Sequence, residues 1–388
     1  VTDHDATRWR RLALLAVAVV GGMSTWFAGT AASPLLAADL ALTPGEVGWL
    51  ASAVQLGFVA GTLLLAITNF ADLIPGRRLF AASAVGAALA NASLLLAADT
   101  AVLVTSRFFT GLFLAGVYPP AMKMAATWFR SARGLAIGTV VGALTVGKAV
   151  PYLLEGGGAL SLAPVVLIPS AAALLAGLGI MGWWHDGPHA FPSRPFAWRL
   201  MAEAFRGPGV RRVTAGYLGH MWELYAFWAW VPGFLAAASL ARGELPRSQG
   251  GMAFVVLAVG AIGCVGGGWL ADRVGRRTVA RGAMLISGSL AALSPLLFVA
   301  PRWILFGALL LWGMAVIADS AQFSALVTEL APPHAVGTAL ALQTSLGFLL
   351  TIASIQLVPV VADAVGWRWG LAVLAVGPLL GAWVLRKP

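Results

Sequence analysis

Gly268-Trp269-Leu270-Ala271-Asp272-Arg273-Val274-Gly275-Arg276-Arg277 closes one long apolar run and opens the next. An acid at a helix end, a glycine turn and clustered arginines can clamp two helix ends together. A degraded copy stands about 200 residues earlier, Asn69-Phe70-Ala71-Asp72-Leu73-Ile74-Pro75-Gly76-Arg77-Arg78, without the arginine after the acid. The turn ending at Gly134, before Leu135-Ala136-Ile137-Gly138, is likewise answered by the turn ending at Gly337, before Thr338-Ala339-Leu340. Repeated halves with weak internal similarity are a mark of many secondary transporters.

The apolar runs around these loops fix the class. Of 388 residues, 60% are apolar and only 10% charged, and the mean hydropathy is +0.87. Soluble domains carry roughly 25% charged residues, so an ordinary soluble protein and a disordered one are both excluded. A spanning helix needs about 20 mostly apolar residues. Twelve such runs are expected, over 12–34, 47–69, 79–98, 101–125, 135–155 and 160–182, then 213–238, 249–270, 279–300, 303–327, 338–361 and 367–385. The short alternating segments of a transmembrane barrel are missing. The chain is therefore expected to be an all-α integral membrane protein of twelve helices.

Basic residues orient it. With twelve crossings, eighteen Lys and Arg fall on one side, among them Arg8, Arg10, Arg11, Arg77, Arg78, Arg273, Arg276, Arg277 and Lys387. The other side has Arg242, Arg247, Arg302 and Arg368. The positive-inside rule makes both termini cytoplasmic, as expected in a bacterial inner membrane, with the basic excess meeting anionic headgroups. The first apolar stretch is long and follows a mixed-charge head, so it is expected to stay as an anchor. One polar stretch, 183–212, divides the chain into two six-helix halves, 1–182 and 213–388, and its amphipathic centre suggests a short surface helix.

In its ordered D-R-x-G-R-R spelling after span 8, the loop Gly268–Arg277 resembles the signature loop of the major facilitator superfamily. Arg107-Phe108-Phe109-Thr110-Gly111-Leu112-Phe113-Leu114-Ala115-Gly116 in span 4 is similar to that family's Arg-and-Gly pattern. The resemblance extends through span count, linker position and repeat. It implies a pseudo-twofold bundle working by alternating access, with Asp72, Arg77, Arg78, Asp272, Arg273, Arg276 and Arg277 as gating residues. For Arg107 it implies a role in substrate binding or proton handling. Spans 2 and 8 lack an arginine within their apolar runs, unlike the nitrate/nitrite carriers of that superfamily.

An ionisable group inside a span is expensive, and it usually faces the bundle interior, pairs, or serves transport. From the residues alone, Arg107 is either a ligand for substrate or a partner for backbone carbonyls. Lys123 lies near enough to a boundary to snorkel. Lys148, thirteen residues into span 5 and so ~20 Å deep, is not. It is expected to face a cavity or to pair, with Glu155 as one candidate partner. Gln55 is the polar candidate in span 2. In span 7, His220 and Glu223 share a helix face with Tyr217 one turn earlier, a spacing at which the pair can exchange or hold a proton. Trp222 and Tyr225 beside them are expected to line a substrate cavity. Asp319 in span 10 is the other buried acid. Trp183, Trp184, Trp367 and Trp369 suit an interfacial belt.

Enzyme constellations are missing: there is no G-x-S-x-G, no P-loop and no metal-ligand spacing, and Cys264 stands alone. No enzyme activity, cofactor, metal or nucleic-acid partner is expected. Cations in the first half and acids in the second favour an anionic or zwitterionic solute, with a proton carried by Glu223, His220 or Asp319. A proton-driven efflux pump for lipophilic or cationic compounds is the alternative. A transporter-like sensor or assembly protein is a remoter one. The partners expected are a small solute, protons and the bilayer, around a monomer.

Overall fold

The computed structural model describes residues 3–129, 132–156, 161–189, 197–244 and 249–386. Among these, eleven helices are long and apolar enough to cross a membrane. In chain order they are α2 (Pro44–Ile67), α3 (Gly76–Leu96), α4 (Thr100–Trp128), α5 (Gly134–Gly156), α6 (Leu162–Trp183), α7 (Pro208–Ala241), α8 (Gly250–Val274), α9 (Arg276–Phe298), α10 (Arg302–Leu330), α11 (Val336–Val365) and α12 (Trp367–Val384). Ahead of them α1 covers Asp3–Met23 and continues, after a break at 24–27, as the short helices Ala28–Ala31 and Ser33–Leu40. The first crossing is thus not the single helix expected from its apolar run. Further interruptions fall within α4 at 115–117, within α8 at Val259 and within α10 at Asp319.

Local sequence sets the ends. Thr43 and Glu46 form a reciprocal capping box at the start of α2, with Pro44 in the first turn. The Asp99 side chain accepts from the Val102 amide, 2.9 Å away, to open α4. Gly275 joins α8 to α9 at φ +89°, a conformation open to glycine and costly for other residues. In the degraded first-half loop, Pro75 precedes Gly76 at ordinary φ, while Asn69 takes the left-handed conformation. The two loops therefore share spelling but not backbone geometry.

Packing is close wherever small residues face each other. A Cβ on Gly57 would stand 1.9 Å from the Phe108 carbonyl oxygen, and one on Gly111 would stand 2.0 Å from that of Val54, so α2 and α4 meet backbone to backbone. Elements of 1–182 meet those of 213–388 chiefly along α2 with α11 and α5 with α8. Leucines and isoleucines such as Leu175 (67% exposed) and Ile262 (65% exposed) form the outer belt that lipid would cover.

The linker differs from expectation at two points, the start of α7 and Trp184. Within it the described residues hold only a single short helical piece, Trp198–Leu200 running into Met201–Ala204, and α7 already begins at Pro208 rather than 213. Trp184 is fully buried, its indole N–H donating to Asp186 at 3.0 Å, and is not a belt residue. The segment is tied to α4 by Trp128 Nε1 donating to the His185 carbonyl (3.0 Å) and to α11 by the Ala197 amide donating to Thr338 (3.1 Å).

Candidate functional site

The break in α1 frees the carbonyls of Thr25 and Trp26, and Arg107 of α4 takes both. Its Nη2 donates to Thr25 O at 2.8 Å and to Trp26 O, while Nη1 donates to Asn91 Oδ1 at 2.7 Å. A guanidinium fork suits this because it offers several donors in one plane. Gly29 makes the room: a Cβ there would stand 2.8 Å from Arg107 Cδ. Of the two roles open for Arg107, the geometry fills the one toward backbone carbonyls.

That clamp positions Trp26 and Phe27. The fully buried ammonium of Lys148, from α5, lies 3.7 Å from the Trp26 ring centroid, 4.4 Å from that of Tyr225 and 5.5 Å from that of Trp228. It also donates to the Tyr225 hydroxyl. Lys148 makes no ion pair among the described residues, and Glu155 is not its partner. Nearby, Trp26 Nε1, Trp228 Nε1 and both amide atoms of Gln55 are buried without a hydrogen-bond partner among the described residues. Gln55 stands one turn before Phe58 on α2, whose ring meets Trp26 at 5.1 Å.

A cavity of about 280 Å³ opens on one side of this cluster. Thr30, Val47, Tyr152, Glu155, Trp230 and Gln249 line it. The Tyr152 hydroxyl donates to the Trp228 carbonyl at 3.0 Å. Tyr152 lies one turn beyond Lys148 on α5, and its ring stands 5.9 Å from that of Phe27, centroid to centroid.

The acids of the second half are arranged differently from expectation. His220 does not meet Glu223; its Nδ1 stands 2.8 Å from Asp319 Oδ1, at the interruption of α10. Glu223 accepts from Ser287 Oγ and Trp312 Nε1, each at 2.7 Å. The reason is positional. Three residues of helix rotate Glu223 about 60° from His220, toward α9 and α10, where those donors wait. Tyr217 lies against His220 (5.9 Å) and Phe323 (5.8 Å), beside the His–Asp pair. Trp222 belongs to neither cluster: its indole donates to the Val373 carbonyl of α12 at 3.3 Å.

In the Gly268–Arg277 loop the arginines and the acid turn to different neighbours. Arg276 pairs with Glu329 at the end of α10 (2.8 Å), and Arg273 lies 3.5 Å over the Trp269 ring. Asp272 instead faces the start of α5, 3.7 Å from where a Cβ on Gly134 would stand. Arg276 starts α9 and reaches sideways, whereas Arg273 sits in the last turn of α8 and folds back one turn. The side chain of Asp72 lies outside the described residues. The Lys148 cluster is not legible in the sequence as a cluster, although Lys148 and Tyr225 are each candidates there, because its rings come from α1, α2, α5, α7 and α11. Its one local signal is Tyr152 four residues after Lys148.

With a broken first helix, a charged cluster between distant spans and a signature loop at the α8–α9 turn, the class is that of a membrane transporter. Residues 14–355 match the Major Facilitator Superfamily model, and the chain belongs to that family of secondary transporters. It is 26% identical over 307 residues to the probable sulfoacetate transporter SauU of Cupriavidus necator, covering 69% of this chain and 67% of that protein. It is 32% identical over 155 residues to the puromycin resistance protein pur8 of Streptomyces alboniger, covering 39% of this chain and 30% of that protein. The fold is similar to that of a bacterial homolog of the human lysosomal transporter Spinster, solved inward-facing and unoccupied. The TM-score is 0.73 at 15% identity, over 99% of this chain and 97% of that one.

Proposed function

We propose that this transporter moves a small organic anion, held by its charge at Lys148. The observation that carries the reading is a fully buried ammonium beside buried indole N–H groups, the first without an ion pair and the second without an acceptor among the described residues. A cation at such depth costs about 2.5–3.5 kcal/mol on insertion scales, so a site that keeps one has a use for it. An anion arriving there satisfies the ammonium and finds spare donors. The relative named as a probable sulfoacetate transporter supports a carboxylate or sulfonate as the class.

In this reading the halves 1–182 and 213–388 rock about Lys148, and 183–212 joins them on the cytoplasmic side with both termini. The cavity that Tyr152 lines is the outward approach, and the basic loops after α2 and α8 lie at the inner gate. A coupling proton is carried by His220 and Asp319, which stand together at a helix interruption, rather than by His220 and Glu223. The efflux reading draws on one observation, the similarity to a puromycin resistance protein over part of the chain. Against it stands the ammonium already inside the aromatic cluster.

Thermal-shift measurements on the purified protein test the choice. Small sulfonates and carboxylates, sulfoacetate included, are expected to raise its melting temperature, and Lys148→Met to abolish the rise. Stabilisation by organic cations alone would refute the reading.

A further inference from the structure

Around the Lys148 ammonium the rings form a box. Trp26 comes from the break in α1, and Tyr225 and Trp228 from α7. Behind them Phe58 stands 5.1 Å from Trp26, Phe348 stands 5.1 Å from Tyr225, and Phe27 stands 6.3 Å from Trp228, centroid to centroid. Each of the three rings nearest the ammonium is buried. Ring faces carry negative potential, and a box of them is how proteins recognise organic ammonium ligands. Here the occupant is one of the chain's own side chains.

We propose that Lys148 is a tethered ligand: it fills an organic-ammonium site, and by filling it turns a cation box into an anion site. The first half stands on the ring geometry alone, and the second rests on the anion reading above. With Lys148 in place the ring faces are already used. A second cation would meet the ammonium within a few ångströms in a medium of low dielectric, where like charges repel strongly. An anion meets attraction from the same charge, and the buried indole N–H groups of Trp26 and Trp228 offer donors at the ring edges. The rings also hold the ammonium, and no carboxylate among the described residues pairs with it. Lys148 is then the residue that sets the sign of the cargo, and its removal exposes the specificity of the underlying box.

Chemical rescue tests this directly. Lys148→Ala removes three carbons and the nitrogen, and n-propylammonium carries the same atoms. n-Propanol matches the shape without the charge. Propylammonium chloride is expected to raise the melting temperature of the variant saturably and to leave the unmutated protein unchanged. Propanol is expected to move neither. An equal response to both solutes would reduce the effect to cavity filling and overturn the proposal, as would no response to either.

If the variant does not survive solubilisation, it is extracted with each solute present throughout. Recovery with propylammonium alone supports the proposal, and loss with both overturns it. Adding Trp26→Leu to the alanine variant should remove the rescue, and rescue that persists would overturn the role of the box. The outcomes separate the two claims. Rescue in a protein that binds no organic anion keeps the box and removes the anion reading. Anion binding without rescue does the reverse.

Discussion

Arg107→Ala should destabilise the protein through the first crossing. The guanidinium makes three short hydrogen bonds, to Thr25 O, Trp26 O and Asn91 Oδ1. Hydrogen bonds between membrane helices are worth ~0.6 kcal/mol each on average and ~1.7 at most, so their loss amounts to roughly 2–5 kcal/mol. Removing a buried cation returns part of that, which places the expected loss toward the lower end. Arg107→Lys should rescue little, because one ammonium on a flexible stem cannot reproduce the fork. Gly29→Ala should resemble it, since its Cβ would crowd Arg107 Cδ at 2.8 Å. The assay is thermal unfolding in detergent beside anion affinity measured on the same preparations. Lowered melting temperature in all three variants, with affinity reduced only as Trp26 shifts, is the expected pattern. Unchanged melting with affinity abolished would refute the structural assignment and make Arg107 a substrate ligand.

Asp319→Asn should abolish accumulation driven by a pH gradient while preserving solute exchange. Glu223→Gln should cost less in coupling than in stability, because its amide turns a donor toward Ser287 or Trp312; reversed results in proteoliposomes would return coupling to Glu223. In a Cys264→Ala background, Ser33→Cys, which lines the cavity, should react with an impermeant maleimide added outside intact cells. Arg78→Cys should react only after permeabilisation, and the opposite pattern would invert the orientation. Glu329→Ala breaks an exposed ion pair with Arg276 and should cost under ~1 kcal/mol of stability, so a large fall in melting temperature would show the pair to be more than a surface contact.

The apolar spans and the Gly268–Arg277 loop were legible because hydropathy and turn chemistry act locally. The break at 24–27 was not. A window average over 12–34 is blind to an interruption stabilised by Arg107, which lies about 80 residues away in sequence. Lys148 could be singled out by depth and Tyr225 by its place beside His220 and Glu223, but their box could not, because Trp26 and Phe348 are indistinguishable in sequence from packing or belt aromatics. His220 and Glu223 show the limit of helical spacing. Sharing a face is a fact of the helix, but a partner is chosen by the neighbouring helices, which bring Asp319 to one residue and Ser287 with Trp312 to the other. Trp222 likewise turns to α12, where its indole donates to the Val373 carbonyl.

Counterflow in proteoliposomes tests the central claim most directly. Vesicles loaded with unlabelled sulfoacetate and diluted into labelled sulfoacetate, or into other small labelled sulfonates and carboxylates, are compared for the unmutated protein and Lys148→Met. Saturable uptake of at least one such anion by the unmutated protein, lost in the variant, is the predicted result. Anion exchange at an undiminished rate in Lys148→Met, or exchange of organic cations by the unmutated protein, would contradict it.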